Sequence, residues 1–226
     1  MPNKILPLLF AVVLLSGFSR QAKKKIIFFG DSITEQGAKP GGYIRLLDSM
    51  LIQKGLDKNY ELLGAGIGGN KVYDLYLRME DDVLAKNPDA VVIWIGVNDV
   101  WHKRSLGTGT DADKFEKFYA AILKKLQDRK IRVFICTPAV VGEKNDATNE
   151  LDGDLNKYSV IIRGLAQKNN CPLIDLRQLF GVYLQANNPG NKDRGILTTD
   201  GVHLNATGNA FVAQHMMEVL GREYVR

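Results

Sequence analysis

Three side chains from opposite ends of the chain could together hydrolyse an ester. Ser32 lies in a Gly-Asp-Ser-Ile-Thr segment (30–34) directly after an apolar run, and Asp200 and His203 lie in an Asp-Gly-Val-His segment (200–203). A serine hydroxyl becomes a good nucleophile when an imidazole takes its proton and a carboxylate orients that imidazole. The three residues therefore predict nucleophilic catalysis, with Ser32 as nucleophile, His203 as base and Asp200 as the orienting acid.

Each of these residues also has a purely structural interpretation. Ser32 could cap the helix that follows it, and Asp200 could cap the last helix of the chain, because serine and aspartate are favoured at helix N-caps. His203 differs from the other two histidines, His102 and His215, because a carboxylate stands three residues before it. We expect structural roles for His102 and His215.

Two further segments lie between these ends, Gly-Ile-Gly-Gly-Asn (66–70) and Gly-Val-Asn-Asp (96–99). Together the four segments resemble the blocks of the SGNH (GDSL-type) hydrolase family, which is named for Ser, Gly, Asn and His. They occur in the order of the family and span residues 30 to 203. The resemblance implies a serine esterase that uses neither a metal nor a cofactor.

The resemblance also implies an oxyanion hole. A tetrahedral intermediate needs hydrogen-bond donors aimed at its negative oxygen, and by resemblance these are the backbone N–H groups of Ser32 and Gly69 and the amide of Asn98. Many family members carry Ser in place of Gly68, so the choice of Gly69 depends on its spacing to the next helix. Gly96 and Asp99 are assigned to the turn after their strand.

Continuous apolar runs alternate with longer segments of helical periodicity, which is typical of a parallel sheet covered by helices on both faces. The pattern predicts one three-layer α/β/α domain of flavodoxin-like topology with five strands. The predicted strands are 25–29, 60–64, 90–95, 131–137 and 172–176. The predicted helices are 41–54, 72–87, 111–129, 153–169 and 206–221. Irregular segments are expected at 100–110, 138–152 and 187–199, either as specificity loops or as plain solvated connections.

The amino terminus reads as a secretory signal peptide over residues 1–19, followed by the hydrolase domain over 20–226. Lys4 precedes an apolar stretch (5–15) and small residues, and that stretch is shorter than the ~20 residues that span a bilayer. A buried amino-terminal helix is the alternative. We expect an exported protein, periplasmic or extracellular, without stable membrane insertion.

Cysteine spacing and charge exclude other classes. Parallel neighbouring strands would hold Cys136 and Cys171 about five residues apart, roughly 17 Å at ~3.3 Å per residue, whereas a disulfide tolerates about 7 Å between Cα atoms. We therefore expect two free, buried thiols. The formal net charge of +5 is dispersed apart from Lys23, Lys24 and Lys25, without the basic stripe typical of nucleic-acid binding.

The substrate is less clearly indicated than the chemistry. Few large apolar residues fall outside the predicted core, which favours a short acyl group on a hydrophilic alcohol, such as an acetylated polysaccharide. Tyr43, Tyr73 and Trp101 could stack on sugar rings or belong to the core. A lysophospholipase or thioesterase remains an alternative, as does a non-catalytic glycan- or anion-binding protein on the same scaffold.

Overall fold

The computed structural model of the chain describes residues 22–225. The predicted signal peptide (1–19) and the predicted first residue of the domain, Arg20, lie outside the described residues. Within the described part, no helix is long and apolar enough to cross a bilayer.

A five-stranded parallel sheet in the order β2-β1-β3-β4-β5 forms the centre of the protein. Its strands are β1 (Lys24–Gly30), β2 (Tyr60–Gly66), β3 (Ala90–Trp94), β4 (Arg132–Cys136) and β5 (Leu173–Ile174). This is the order of doubly wound flavodoxin-like sheets, in which ligands bind beyond the carboxyl ends of the strands. The predicted fold class is confirmed, although β5 is shorter than expected.

Eight α-helices are found among the described residues. They are α1 (Ser32–Gly37), α2 (Tyr43–Gln53), α3 (Val72–Asp82), α4 (Val97–Ser105), α5 (Ala112–Asp128), α6 (Asp152–Lys168), α7 (Leu176–Asn187) and α8 (Ala206–Glu223). A 3₁₀ turn, Leu84–Lys86, follows α3. The prediction of an irregular segment at 100–110 was wrong for its first half, because residues 100–105 belong to α4. Helix α7 was not predicted.

The sheet separates two apolar layers because its side chains alternate between faces. In β1, Ile26 and Phe28 face the layer that contains α2, α7 and α8. Ile27 and Phe29 face the opposite layer, which contains α3, α5 and α6. All four side chains are almost completely buried, so β1 is apolar on both faces, as expected for a central parallel strand. This core fixes the carboxyl end of β1, where Ser32 follows.

Both cysteines are free and buried, as predicted. The register of the sheet pairs Cys136 with Ile174, so Cys171 lies three residues away along the strand direction rather than five. That offset is about 10 Å at ~3.3 Å per residue, still too far for a disulfide.

Candidate active site

Ser32 is the first residue of α1, directly beyond the end of β1. The N-cap of this helix is Asp31, whose carboxylate accepts the N–H of Ile33 at 3.0 Å. Burial raises the pKa of Asp31 to about 7, and the hydrogen bond from Ile33 opposes that effect. Because Asp31 caps the helix, the capping interpretation of Ser32 was wrong, and its hydroxyl points to another partner.

That partner is His203, whose Nε2 lies 2.9 Å from the Oγ of Ser32. The other ring nitrogen, Nδ1, lies 2.7 Å from Oδ2 of Asp200. The structure thus brings the three predicted residues into one hydrogen-bonded row. Asn205, whose side chain accepts the N–H of Gly208, is the N-cap of α8, so the interpretation of Asp200 as that cap was also wrong.

Asp200 also organises the turn around itself. Its Oδ1 accepts the N–H groups of Val202 at 3.0 Å and His203 at 2.8 Å. Burial raises the pKa of Asp200, but the hydrogen bonds from His203 and Val202 outweigh it, so the pKa lies below its ordinary value. Asp200 is therefore ionised at neutral pH and can hold the imidazole in the tautomer with its Nδ1–H toward the carboxylate.

The second segment runs alongside Ser32. A Cβ on Gly68 would lie 4.0 Å from the Cβ of Ser32. The N–H of Gly68 donates to Oε2 of Glu35 at 2.8 Å, whereas the N–H of Gly69 donates to none of the acceptors in the described chain. Gly69 has φ +75, a left-handed conformation that favours glycine. Of these two N–H groups, that of Gly69 is the one available to a substrate.

Asn98 links the second and third segments. Its buried side chain donates through Nδ2 to the backbone oxygen of Asn70 at 3.1 Å, which leaves the second N–H of the amide for another acceptor. Gly96 is the N-cap of α4 with φ 125, as its assignment to a turn predicted. The assignment of Asp99 to the turn was wrong. Asp99 lies inside α4, fully buried, and accepts the N–H of Val72 at 3.1 Å.

The sequence pattern of the GDSL-like Lipase/Acylhydrolase family matches residues 28–211, most of the chain. The protein belongs to this family. Three relatives extend the assignment. A solved acetyl xylan esterase, AlAXEase, is 66% identical, with a TM-score of 0.85 over 86% of this chain and 98% of that one. An acetylxylan esterase from Geobacillus stearothermophilus is 28% identical over 90% of this chain and 96% of its own.

A solved catalytic mutant of Axe2, an acetylxylan esterase from Geobacillus stearothermophilus in which an aspartate is replaced by alanine, is 26% identical. It has a TM-score of 0.78 and covers 92% of this chain and 99% of its own. With family membership, these relatives identify the chain as a carboxylic ester hydrolase. The alternative of a non-catalytic binding protein is therefore set aside.

Arg78 of this hydrolase has a supporting role that its place in the sequence does not indicate. Its guanidinium donates to Oδ1 of Asn70 at 2.7 Å and to the backbone oxygens of Gly30 at 2.8 Å and Ala65 at 3.0 Å. It also pairs with Asp82 at 2.6 Å. Arg78 thus joins the ends of β1 and β2 to the segment that contains Gly69. An arginine on an amphipathic helix gives no sequence signal of this role.

Two of the three aromatic residues considered for sugar stacking are packed into the protein. Tyr43 is fully buried, and its hydroxyl donates to Oγ1 of Thr34 at 3.1 Å. Tyr73 is half-buried and makes an edge contact with Phe118. Tyr43 is therefore a core residue and contributes no surface to a substrate.

Trp101 is half-buried beside His102, with 5.4 Å between ring centroids. His102 in turn borders the crevice, because a Cβ on Gly69 would lie 3.7 Å from its Cε1. His215 lies away from this site on α8 and pairs with Glu218 at 3.1 Å. Trp101 therefore approaches the predicted oxyanion segment through its neighbour His102.

No group of three or more His, Cys, Asp or Glu side chains that could hold a metal ion occurs within residues 22–225. The arrangement can activate a hydroxyl by proton transfer and can present hydrogen-bond donors to a developing negative charge.

Proposed function

We propose that the protein is an exported serine esterase that removes short acyl groups, foremost acetyl, from carbohydrates. The observation that carries the chemistry is the position of His203, within hydrogen-bond distance of both Ser32 and Asp200. The observation that supports the substrate is the 66% identity to an acetyl xylan esterase. A lysophospholipase would share the same chemistry and is distinguished by its acyl chain, whereas a thioesterase is distinguished by a thiol as the leaving group.

The mechanism is acyl transfer to water in two steps. Neutral His203 takes the proton of Ser32 through Nε2 as Oγ attacks the ester carbonyl, and Asp200 stabilises the imidazolium. The N–H groups of Ser32 and Gly69 and the Nδ2 of Asn98 bind the tetrahedral oxyanion. His203 then donates its proton to the leaving alcohol. Water, deprotonated by the same imidazole, attacks the acyl-enzyme. His203 then returns this proton to Oγ of Ser32 as the bond between the acyl group and Oγ breaks and the acid leaves.

Replacement of Ser32 tests the nucleophile. We expect Ser32→Ala to lower kcat on p-nitrophenyl acetate by about 10⁴-fold or more, because the covalent step is lost. A fluorophosphonate should label Ser32 in the wild type, and peptide mapping identifies the labelled residue. Ser49→Ala, at an exposed serine of α2, is the matched control and should keep wild-type turnover. Undiminished turnover in Ser32→Ala would refute the proposal.

The acyl chain is tested with a series of p-nitrophenyl esters. We expect kcat/KM to fall from acetate to butyrate to decanoate, and acetylated xylo-oligosaccharides to release acetate. A preference for decanoate would contradict the acetyl assignment and favour the lipid alternative, while leaving the roles of Ser32 and His203 unaffected.

A further inference from the structure

Glu143 is a buried carboxylate in the segment between β4 and α6, and its partners are backbone N–H groups. Its Oε1 accepts the N–H groups of Leu197 at 2.7 Å and Thr198 at 2.6 Å, and its Oε2 accepts that of Ile196 at 2.7 Å. The residue has no exposed surface. Charge-assisted hydrogen bonds of this length are strong and can compensate for the burial of a carboxylate.

The three donors begin the loop that contains Asp200 and His203. Thr198 and Leu204 form an isolated antiparallel bridge. The N–H of Thr199 donates to the backbone oxygen of His203 at 2.8 Å, and the N–H of Gly201 donates to Oγ1 of Thr198 at 3.0 Å. Residues 198–204 thus form a small closed loop, and Glu143 binds the backbone of residues 196–198 at its start.

The backbone around Glu143 holds the same loop at two further points. The N–H of Gly142 donates to the oxygen of Gly201, and the N–H of Glu143 donates to the oxygen of Asp193, both at 2.9 Å. The side chain of Asn188 donates to the oxygen of Glu143 at 2.8 Å. Glu143 therefore lies at the centre of the contacts that join the 138–152 segment to the loop of Asp200.

We propose that Glu143 is a positioning residue, which sets the place of the Asp200–His203 pair relative to Ser32; this rests on the function proposed above. Proton transfer requires Nε2 of His203 to stay within hydrogen-bond reach of the hydroxyl. A displacement of about 1 Å can cost about 10²-fold in rate. Glutamine in place of Glu143 would turn an NH₂ group toward backbone donors and release at least one of them.

The test compares two acetate esters that need His203 to different degrees. Nitrophenolate leaves without a proton, whereas ethoxide needs the proton that His203 donates. For Glu143→Gln we expect kcat/KM to fall about 10-fold with p-nitrophenyl acetate and about 100-fold with ethyl acetate. We expect KM to stay within about two-fold. Assays are run well below the melting temperature of each variant.

Glu150→Gln is the matched control, because Glu150 belongs to the same segment but has a 74% exposed side chain that forms a surface ion pair with Arg104. It should keep wild-type rates on both esters. Equal losses of Glu143→Gln on the two esters would overturn the positioning role. If this variant does not fold, Glu143→Asp carries the same comparison, and failure of both to fold would assign Glu143 to the fold as a whole and equally overturn the proposal.

A failure of the positioning role of Glu143 can be distinguished from a failure of the proposed esterase mechanism. If Ser32→Ala keeps its turnover, the mechanism itself is wrong. If Ser32→Ala is inactive while Glu143→Gln keeps the wild-type ratio between the two esters, only the role of Glu143 is wrong.

Discussion

Buried carboxyl groups around the site serve as backbone acceptors rather than as acids in the reaction. Asp31 caps α1, and Asp99 holds the N–H of Val72 at the start of α3. Burial raises the pKa of both groups to about 7, so the folded state opposes their ionisation. Asp200 has the opposite shift, because hydrogen bonds from His203 and Val202 outweigh its partial burial. The site thus combines Asp200, whose ionised form is stabilised, with Asp31 and Asp99, whose ionised forms are disfavoured by burial.

Replacement of Asp99 should change how stability depends on pH. Because the folded-state pKa of Asp99 is about 7 against 3.8 in the unfolded state, the folded state binds more protons between these values, and its contribution to stability falls as pH rises through this window. Asp99→Asn keeps an acceptor for the N–H of Val72 and removes the ionisable group, so the loss of stability with rising pH should disappear. Relative to wild type, we expect this variant to gain about 2.5 kcal/mol between pH 5 and pH 8.

Urea denaturation at pH 5 and pH 8 measures this difference. Asp128→Asn, at an exposed carboxylate of α5 that pairs with Lys124, is the control and should follow the wild type at both pH values. Parallel curves for Asp99→Asn and the wild type would contradict the shifted pKa of Asp99.

At the scale of single residues, the sequence predicted which three side chains would meet, but not the residues that hold them in place. Ser32, Asp200 and His203 meet as expected, because their types and order suggest a shared reaction. Glu143, Arg78 and the buried position of Asp99 could not be foreseen. Their partners are backbone atoms from other parts of the chain, and backbone contacts leave no mark in residue type.

At the scale of elements, α3 connects the strand ends to the site. Arg78 on this helix reaches the backbone oxygens of Gly30 and Ala65 and the side chain of Asn70. Its guanidinium also stacks on Phe29, 4.5 Å from the ring centroid. Since α1 with Ser32 starts beyond Gly30, and Gly69 precedes Asn70, one side chain fixes both segments relative to each other.

Loss of this guanidinium should weaken both stability and catalysis. For Arg78→Met we expect a loss of about 3 kcal/mol in the free energy of unfolding, because three oxygens lose their donors in a partly buried site. We expect kcat to fall more than KM rises, since the predicted oxyanion segment around Gly69 loses its contact with Arg78. Urea titration and steady-state kinetics measure the two effects.

Arg129→Met provides the comparison, because Arg129 makes an exposed ion pair with Glu80 at 3.1 Å. Such pairs contribute about 0–1 kcal/mol, so its stability and rates should stay near wild type. An Arg78→Met enzyme that behaves like Arg129→Met would show that the strand ends hold the site without the guanidinium.

Element prediction succeeded where one physical signal dominated. The central strands β1 and β3 were recognised because they are buried on both faces and therefore largely continuously apolar. Helix α4 was missed because it is short and mostly polar, and its start depends on Gly96 and on the contact of Asp99 with Val72. Helix α7 carries Leu176, Phe180 and Leu184 at helical spacing, but the predicted fifth strand extended over its first residue.

At the scale of the whole molecule, the fold needs no covalent cross-link. Two apolar layers cover a parallel sheet, and both cysteines are buried as free thiols. Disulfides are common in exported proteins that cannot build a sufficient core, and this domain is large enough to build one. The first strand begins at Lys24, beyond the predicted cleavage after Ser19, so removal of residues 1–19 leaves every described element intact.

Export with cleavage after Ser19 predicts that the secreted protein begins at Arg20, which intact-mass measurement and amino-terminal sequencing can establish. Its formal net charge is then +4, since Lys4 leaves with the first 19 residues and is their only charged side chain. We also expect residues 20–226, produced without the leader in a reducing cytoplasm, to fold to the same melting temperature and esterase activity. The core supplies the stability, so added reductant should change neither value. A secreted chain that still begins at Met1 would contradict cleavage, and a melting temperature that drops on reduction would contradict free thiols.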